Sequence, residues 1–260
     1  MPTARVASVL VVLAGITALG GLTACNIRQE TFTDDTTQQV VITEVNVDGG
    51  SGDIVVHGDE PSQVDIHRTF RYRHERVVDT YRIEGTVLHV AARCGDECSV
   101  SYVIRAPKGV KISGHNGSGN LRASSVSTVD FSVGSGDVSV RGATGALVVH
   151  TRSGNVELVD VAGPVTIGTG SGDIDGLDVR ATDVTTETSS GNIKLDLSSV
   201  ADVRAKTGSG DIRLAVSTGD YRISTDTGSG DVDVRIAHNP NGARHLDLRT
   251  GSGNIVVNPR

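Results

Sequence analysis

Hydrophobic and polar residues alternate along most of this chain, on both sides of a short glycine-containing turn. The turn reads Ser-Gly-Asp or Ser-Gly-Asn, and in most units apolar residues stand six and four positions before its serine and three and five positions after it. Around Ser135 these positions hold Val129, Phe131, Val138 and Val140. Alternation with a period of two is typical of strands that bury one face, so each turn is predicted to join two short strands.

The turn recurs at a nearly constant interval. From Ser118 onward the serines are separated by 17, 18, 18, 19, 19, 20 and 23 residues. A repeat close to 20 residues is the signature of a solenoid, in which equivalent strands of successive coils stack. The sequence therefore predicts an all-β fold, a parallel β-solenoid with about 18–20 residues per coil. We assume right-handed coiling because parallel crossovers almost always have that hand. The predicted repeat turns are Ser51, Gly52, Asp53, Ser118, Gly119, Asn120, Ser135, Gly136, Asp137, Ser153, Gly154, Asn155, Ser171, Gly172, Asp173, Ser190, Gly191, Asn192, Ser209, Gly210, Asp211, Ser229, Gly230, Asp231, Ser252, Gly253 and Asn254.

From Asn120 onward, Asp and Asn alternate at the third turn position with one interruption. Stacked strands lie roughly 4.8 Å apart, where neighbouring carboxylates repel and an amide between them can donate a hydrogen bond. In chain order the alternation breaks at Asp211 and Asp231. At these two residues we expect either a raised carboxyl pKa or a bound cation.

A threonine stands two positions before the serine in six successive units. Stacking of the units would align these residues, so we predict a threonine ladder along one edge. The threonines are Thr151, Thr169, Thr188, Thr207, Thr227 and Thr250.

The first 24 residues have the pattern of a secretory signal, with Arg5 before an apolar run from Val6 to Leu22. The ending Leu-Thr-Ala-Cys at Cys25 resembles the lipobox of bacterial lipoproteins. That resemblance implies cleavage before Cys25 and a lipid on its thiol, which would anchor the exported protein on the extracytoplasmic face of a cell membrane. An uncleaved membrane anchor and ordinary secretion with an incidental cysteine are the alternatives.

The rest of the chain divides into three parts. Residues 25–37 are polar and predict a lipid-anchored tether. Residues 38–112 predict an N-terminal β portion, with a first coil around Ser51 and an insertion that caps the stack. Residues 113–260 predict the regular coils. Because no polar cap follows the last unit, we expect an open strand edge there, suited to self-association or to a partner.

Cys94 and Cys98 frame Gly-Asp-Glu. In an exported chain this spacing predicts a disulfide that closes a tight loop. A metal pair is the alternative, but no second pair at ligand spacing accompanies it. A basic cluster within residues 68–82 is interpreted as a solvated strand face, and a patch for an anionic glycan is the alternative.

Composition narrows the function classes. The chain has 32 Gly, no Trp and 3% aromatic residues, which fits many turns around a narrow aliphatic core. Its net charge of −7 provides no electrostatic footprint for nucleic acid. His, Asp and Glu residues do not recur at a spacing that defines a catalytic pair or triad. We therefore predict a non-enzyme without cofactor.

The Ser-Gly-Asp units, the segment from Ile104 to Val110 and the lipobox together resemble the bacterial putative-adhesin family of β-solenoid envelope proteins. The likeness covers roughly residues 38–258 and implies a solenoid at the cell envelope, with no catalytic residues to carry over. The leading interpretation is a lipid-anchored binding or structural protein, with the membrane and an envelope glycan or protein as partners. The alternatives are a polysaccharide-active β-helix enzyme and an accessory lipoprotein in envelope-stress sensing.

Overall fold

The computed structural model describes residues 29–59, 62–74 and 77–260. Within these ranges there is no helix, and hence none that could cross a membrane. The strands are β1 Glu30–Gln38, β2 Glu44–Gly50, β3 Ile54–Gly58, β4 Val64–Tyr72, β5 Tyr81–Glu84, β6 Val87–Ala92, β7 Cys98–Ala106, β8 Lys111–Ser118, β9 Leu121–Ser124, β10 Val129–Ser135, β11 Val138–Arg141, β12 Leu147–Ser153, β13 Val156–Val161, β14 Val165–Ser171, β15 Ile174–Val179, β16 Asp183–Ser190, β17 Ile193–Leu197, β18 Asp202–Ser209, β19 Ile212–Val216, β20 Tyr221–Thr227, β21 Val232–Val234, β22 Arg244–Ser252 and β23 Ile255–Pro259.

The strands form two sheets, and each coil contributes one strand to each sheet. The order in the 12-stranded sheet is β1-β4-β7-β3-β9-β11-β13-β15-β17-β19-β23-β21. The order in the 11-stranded sheet is β20-β22-β18-β16-β14-β12-β10-β8-β2-β6-β5. All pairings among the regular coils are parallel, which confirms the predicted β-solenoid.

The core is a narrow aliphatic layer between the two sheets. Residues three after each serine stack on one another and are fully buried in the internal coils, as Val156, Ile174 and Ile193 show, whereas Val232 in the outermost coil is exposed. The facing row on the other sheet includes Leu147 and Val165, which are equally buried. Branched aliphatic side chains fit a pleated surface of this kind, and large rings would not fit at every coil.

The coils are joined at the predicted turns by a ladder that uses side chains and backbone together. The Oδ1 atom of each Asp or Asn accepts a hydrogen bond from the backbone N–H of its equivalent in the next coil, for example Asp173 from Asn192 at 2.7 Å. The same bond recurs at every step of the stack from Asp53 to Asp231. We call this row the Asp/Asn ladder.

Glycine is required at the second turn position because the coils approach most closely there. At Gly172 the φ angle is +145°, and an added Cβ would lie 2.1 Å from the carbonyl oxygen of Gly154. That carbonyl also accepts a hydrogen bond from the buried Thr169 hydroxyl at 3.2 Å. Each threonine of the predicted set bonds a turn glycine of the neighbouring coil in this way, and the set stacks as a ladder.

The last two coils stack in the reverse of their chain order. β22 and β23 lie directly on β18 and β19, and β20 and β21 lie outside them. Residues 235–243 lead the chain from the outer coil back to the inner one. The final unit around Ser252 is therefore internal, and the unit around Ser229 forms the end of the stack.

This reversal overturns the prediction made for Asp211 and Asp231. Asn254 lies between them: its N–H donates to Asp211 at 2.7 Å, and its Oδ1 accepts from the N–H of Asp231 at 2.9 Å. The two carboxylates stand two strand spacings apart, roughly 9.6 Å, which is too far to share a cation. The Asn254 N–H and the nearby Arg213 guanidinium lower the pKa of Asp211 below its ordinary value, where we had expected a rise. In space the alternation of Asp and Asn is unbroken.

The open edge at this end of the stack is formed by strands other than the predicted ones. It belongs to β20 and the three-residue β21, and part of it is covered by the returning loop. Asn239 donates its N–H to the Tyr221 carbonyl, and His238 accepts from the N–H of Ile223. Short and covered edge strands discourage pairing with another chain. Self-association through this edge stays a prediction.

At the other end, the insertion extends both sheets. β6 and β7 form one further parallel coil on β2 and β3, and antiparallel β4, β1 and β5 complete the two sheets. Tyr102 fills the interior here and donates its hydroxyl to the Thr80 carbonyl at 2.7 Å. Burial raises the pKa of Tyr102 to about 12.

The predicted tether over residues 25–37 is wrong for most of its length, because β1 occupies Glu30–Gln38. Phe32 packs against Phe70, and Asp34 makes two hydrogen bonds to the buried Arg68 guanidinium. Little in the sequence indicates this strand, since its inward positions are mostly polar and its partners lie 26 to 42 residues away.

Substitution of Gly172 by alanine tests the close approach of the coils. We expect Gly172→Ala to lower the free energy of unfolding by about 3 kcal/mol or more, because the new Cβ meets backbone at a φ that only glycine adopts readily. The matched control is Gly85→Ala, where φ is +61° and an added Cβ would meet no atom within 4 Å. The control should cost about 1 kcal/mol. Urea unfolding followed by circular dichroism measures both, and equal losses would contradict the stacking explanation.

Substitution of Asn254 by aspartate tests the alternation in the ladder. Asn254→Asp places three carboxylates on successive strands, so we expect a loss of about 1–2 kcal/mol at pH 7. Repulsion raises the folded-state pKa of these carboxyl groups above the unfolded value. The loss is therefore present above that folded pKa and disappears as the pH falls to about 4 and below.

The control for this substitution is Asn241→Asp in the exposed loop, which should change stability little at either pH. Urea unfolding at pH 7 and pH 3.5 gives the comparison. A loss for Asn254→Asp that is the same at both pH values would show that charge is not its cause.

Candidate binding surfaces

The turns present a row of hydroxyl groups along one edge of the stack. All nine turn serines are exposed, and from Ser118 onward each lies in register with the serine of the neighbouring coil. We call this row the serine edge. The buried Thr ladder and the glycine carbonyls lie beneath it, so its backbone is fixed by hydrogen bonds between coils. The repeat distance is the strand spacing of roughly 4.8 Å.

A second surface feature is a cavity of about 390 Å³ on the outer face of the 12-stranded sheet. Gly176 occupies an inward position that leucine holds in the neighbouring coils, at Leu158 and Leu195. The register between β15 and β17 shifts just after Gly176. The adjacent Leu177 points outward and is 55% exposed. Charged side chains line the cavity, among them Glu157, Asp175, Asp196, Lys194 and Arg213.

A polar cluster lies near the N-terminal end of the 11-stranded sheet. Ser113 donates to Glu44, Asn46 donates to Ser113 at 2.8 Å, and His89 contacts the Asn46 amide oxygen at 3.3 Å. His89 therefore bonds an amide and does not bond the serine hydroxyl. This arrangement does not provide the histidine base that would activate a serine nucleophile.

The carboxyl groups with shifted pKa values argue against a general acid. In the described part of the chain each of these pKa values is lowered: at Glu84 by Arg82, at Asp178 by Ser198 and Arg260, and at Asp211 by the Asn254 N–H. At Asp202 burial is the largest single influence and raises the pKa, but the hydrogen bonds from the His245 N–H and Arg244, with the Arg244 charge, together lower the pKa by more. A carboxylic acid that donates a proton near neutral pH needs a raised pKa.

The remaining predicted site residues have the following places. Cys25 and the signal segment lie outside the described residues. Cys94 and Cys98 form a disulfide at the corner between β6 and β7, in the position that a Ser-Gly-Asp turn holds in the regular coils. In residues 29–59, 62–74 and 77–260, no group of three His, Cys, Asp or Glu side chains is placed to hold a metal ion.

The basic cluster of residues 68–82 is divided by the structure. Arg68 is buried against Phe70 and Tyr81 and paired with Asp34, so it stabilises the cap. Arg73 pairs with Glu97 at the surface. Arg73 thus fits the predicted solvated strand face, whereas for Arg68 that prediction is wrong because its guanidinium is buried.

The chain was compared with solved structures and with curated proteins. A putative adhesin from Bacteroides fragilis is 15% identical, with a TM-score of 0.50 over 88% of this chain and 97% of that one. A putative cell adhesion protein from Clostridium sporogenes is 13% identical, with a TM-score of 0.33 over 90% of this chain and all of that one. At 15% identity, the similarity to the Bacteroides fragilis protein shows a common fold. No curated protein matches the chain.

A family model described as Toastrack DUF4097 matches residues 89–259, from the β6–β7 coil to the last strand. This range contains eight of the nine predicted repeat turns. The resemblance drawn from the repeat is thereby confirmed, and the chain belongs to the Toastrack DUF4097 family.

Proposed function

We propose that this protein is a lipid-anchored binding or structural protein of the cell envelope, of adhesin type, and that it catalyses no reaction. The observation that carries the proposal is the serine edge, a fixed row of exposed hydroxyl groups at strand spacing. Such a row suits a polymer that repeats along its own length, and we take an envelope glycan as the ligand. The description of the Bacteroides fragilis protein with a similar fold as a putative adhesin supports a binding role.

The stacking favours binding by a preformed surface. The turn glycines, the Asp/Asn ladder and the Thr ladder hold each serine in place before a ligand arrives. A preformed surface loses little conformational entropy on binding, which allows weak contacts to add along a polymer. The lowered carboxyl pKa values and the position of His89 support the absence of catalysis.

The position of β1 supports a short anchor. If Cys25 carries the lipid, four residues separate it from Glu30, and the five steps between the two Cα atoms span at most about 18 Å. β1 lies at the cap end of the 12-stranded sheet. The anchor would therefore hold the cap near the membrane and leave the Ser229 coil at the far end of the stack.

Substitution of Cys25 tests the anchor. We expect Cys25→Ala to move the protein from the membrane pellet to the supernatant and to abolish incorporation of a labelled fatty acid, because the thiol that carries the lipid is lost. Fractionation and labelling of the expressing cells measure both effects. Cys94→Ala serves as the matched control and should keep the label. A labelled, membrane-bound Cys25→Ala protein would contradict the anchor.

Removal of turn hydroxyls tests the binding surface. The triple variant Ser153→Ala, Ser171→Ala and Ser190→Ala should bind purified envelope polysaccharide about tenfold more weakly, since each lost hydrogen bond contributes modestly. The control removes three exposed hydroxyls from the 11-stranded sheet, by Ser132→Ala, Thr166→Ala and Thr185→Ala. Sedimentation of the protein with insoluble polysaccharide measures the affinity. Equal binding by the two triple variants would contradict the role of the serine edge.

A further inference from the structure

The outer face of the 12-stranded sheet carries an ordered row of charges. The residue four after each turn serine points outward, and these residues stand in register on nine neighbouring strands, of which the first, β3, carries the uncharged Val55. In spatial order from β9 to β21 the row is Arg122, Ser139, Glu157, Asp175, Lys194, Arg213, Val256 and Asp233. We call it the charged row. Over eight strands it is roughly 34 Å long.

The charged row is antisymmetric about its midpoint, between β15 and β17. Outward from the midpoint, Asp175 mirrors Lys194, Glu157 mirrors Arg213, and Ser139 mirrors Val256. At the ends Arg122 mirrors Asp233. Every charged residue therefore has an opposite charge at the same distance on the other side, and the two uncharged residues mirror each other.

We propose that two copies of this chain associate face to face through the charged row, about a two-fold axis that runs along the strands at the midpoint. Such an axis places each strand position opposite its mirror position in the second copy. Asp175 then faces Lys194 of the other copy, Glu157 faces Arg213, and Arg122 faces Asp233. Aligned packing of two sheets allows the strands to keep nearly the same direction.

The neighbouring outward row and the cavity fit the same axis. The residue six after each serine includes Val159, Leu177, Asp196 and Ala215. Val159 would face Ala215 of the other copy, and Leu177 would face Asp196. Leu177 of one copy would approach β17 of the other, beside the cavity next to Gly176. The association would cover the exposed Leu177 and the cavity, whose lining includes Leu158, Leu195 and Leu214 besides the charged side chains.

Intramolecular ion pairs do not prevent this association. Glu157 pairs with Arg141 at exposed positions, and the exposed Arg213 pairs with the partly buried Asp211. Exposed pairs contribute little and exchange partners readily. Two rows over eight strands supply about 16 residues a side, near the lower end for specific interfaces, so we infer a modest affinity. The interface is separate from the serine edge and does not depend on the proposed function.

Charge reversal tests the dimer. The full chain in a density-matched neutral detergent is examined by analytical ultracentrifugation over a range of concentrations. We expect a monomer–dimer equilibrium that weakens between about 0.05 M and 0.5 M NaCl. Arg213→Glu and Glu157→Arg, each alone, should weaken self-association about tenfold or more, because like charges then face each other. A mixture of the two variants should dimerise as the unchanged protein does, since each copy again faces opposite charges.

A monomer at every concentration would overturn the proposal, and so would a mixture no better than the single variants. A dimer that neither substitution affects would also overturn it, because association would then use another surface such as the β20–β21 edge. Cross-linking gives a second readout: Glu157→Cys mixed with Arg213→Cys should form a disulfide-linked pair. Within one chain these positions are three strand spacings apart, roughly 14 Å, so the bond can form only between copies. Thr166→Cys mixed with Arg213→Cys is the control and should not cross-link.

Discussion

The structure depends on one contact, the hydrogen bond from a backbone N–H of one coil to the Asp or Asn side chain of the coil before it. This bond lies at the corner, where the coils come closest, and it fixes their register to a single residue. The same close approach requires glycine at the second turn position, because a Cβ there would collide with the carbonyl of the neighbouring coil. The buried threonine follows as well, since that carbonyl needs a donor. With the corner fixed, every other row of side chains is aligned across the sheets.

Much of the fold could be predicted from local sequence, because strand alternation and the repeat are properties of neighbouring residues. Val138 and Val140 identify an inward face without knowledge of their partners, and the constant spacing identifies a stack. The strand order at the end of the stack could not be obtained this way. The rule that Asp and Asn alternate was correct, but we applied it along the chain, and the molecule satisfies it in space by inserting Asn254.

The parts that the sequence did not indicate depend on distant partners. β1 has polar inward residues, and Asp34 is partly buried in its ion pair with Arg68, whose guanidinium lies against the rings of Phe70 and Tyr81. The charged row has the same origin, because its symmetry appears only when Val256 and Asp233 are placed in their true order. The disulfide between Cys94 and Cys98, in contrast, could be predicted from the sequence, because the two cysteines are only four residues apart. The exposed surfaces thus required the strand order, whereas the core did not.

The reversed order of the last coils has a consequence for synthesis. The Ser229 unit leaves the ribosome before the Ser252 unit, yet its final place is farther out. If it docked at once on β18 and β19, Asp231 would stand against Asp211 with no amide between them, and their repulsion would disfavour that premature arrangement. The position beside Asp211 is thereby kept free for Asn254. β22 and β23, although synthesised after β20 and β21, therefore take the inner place in the stack.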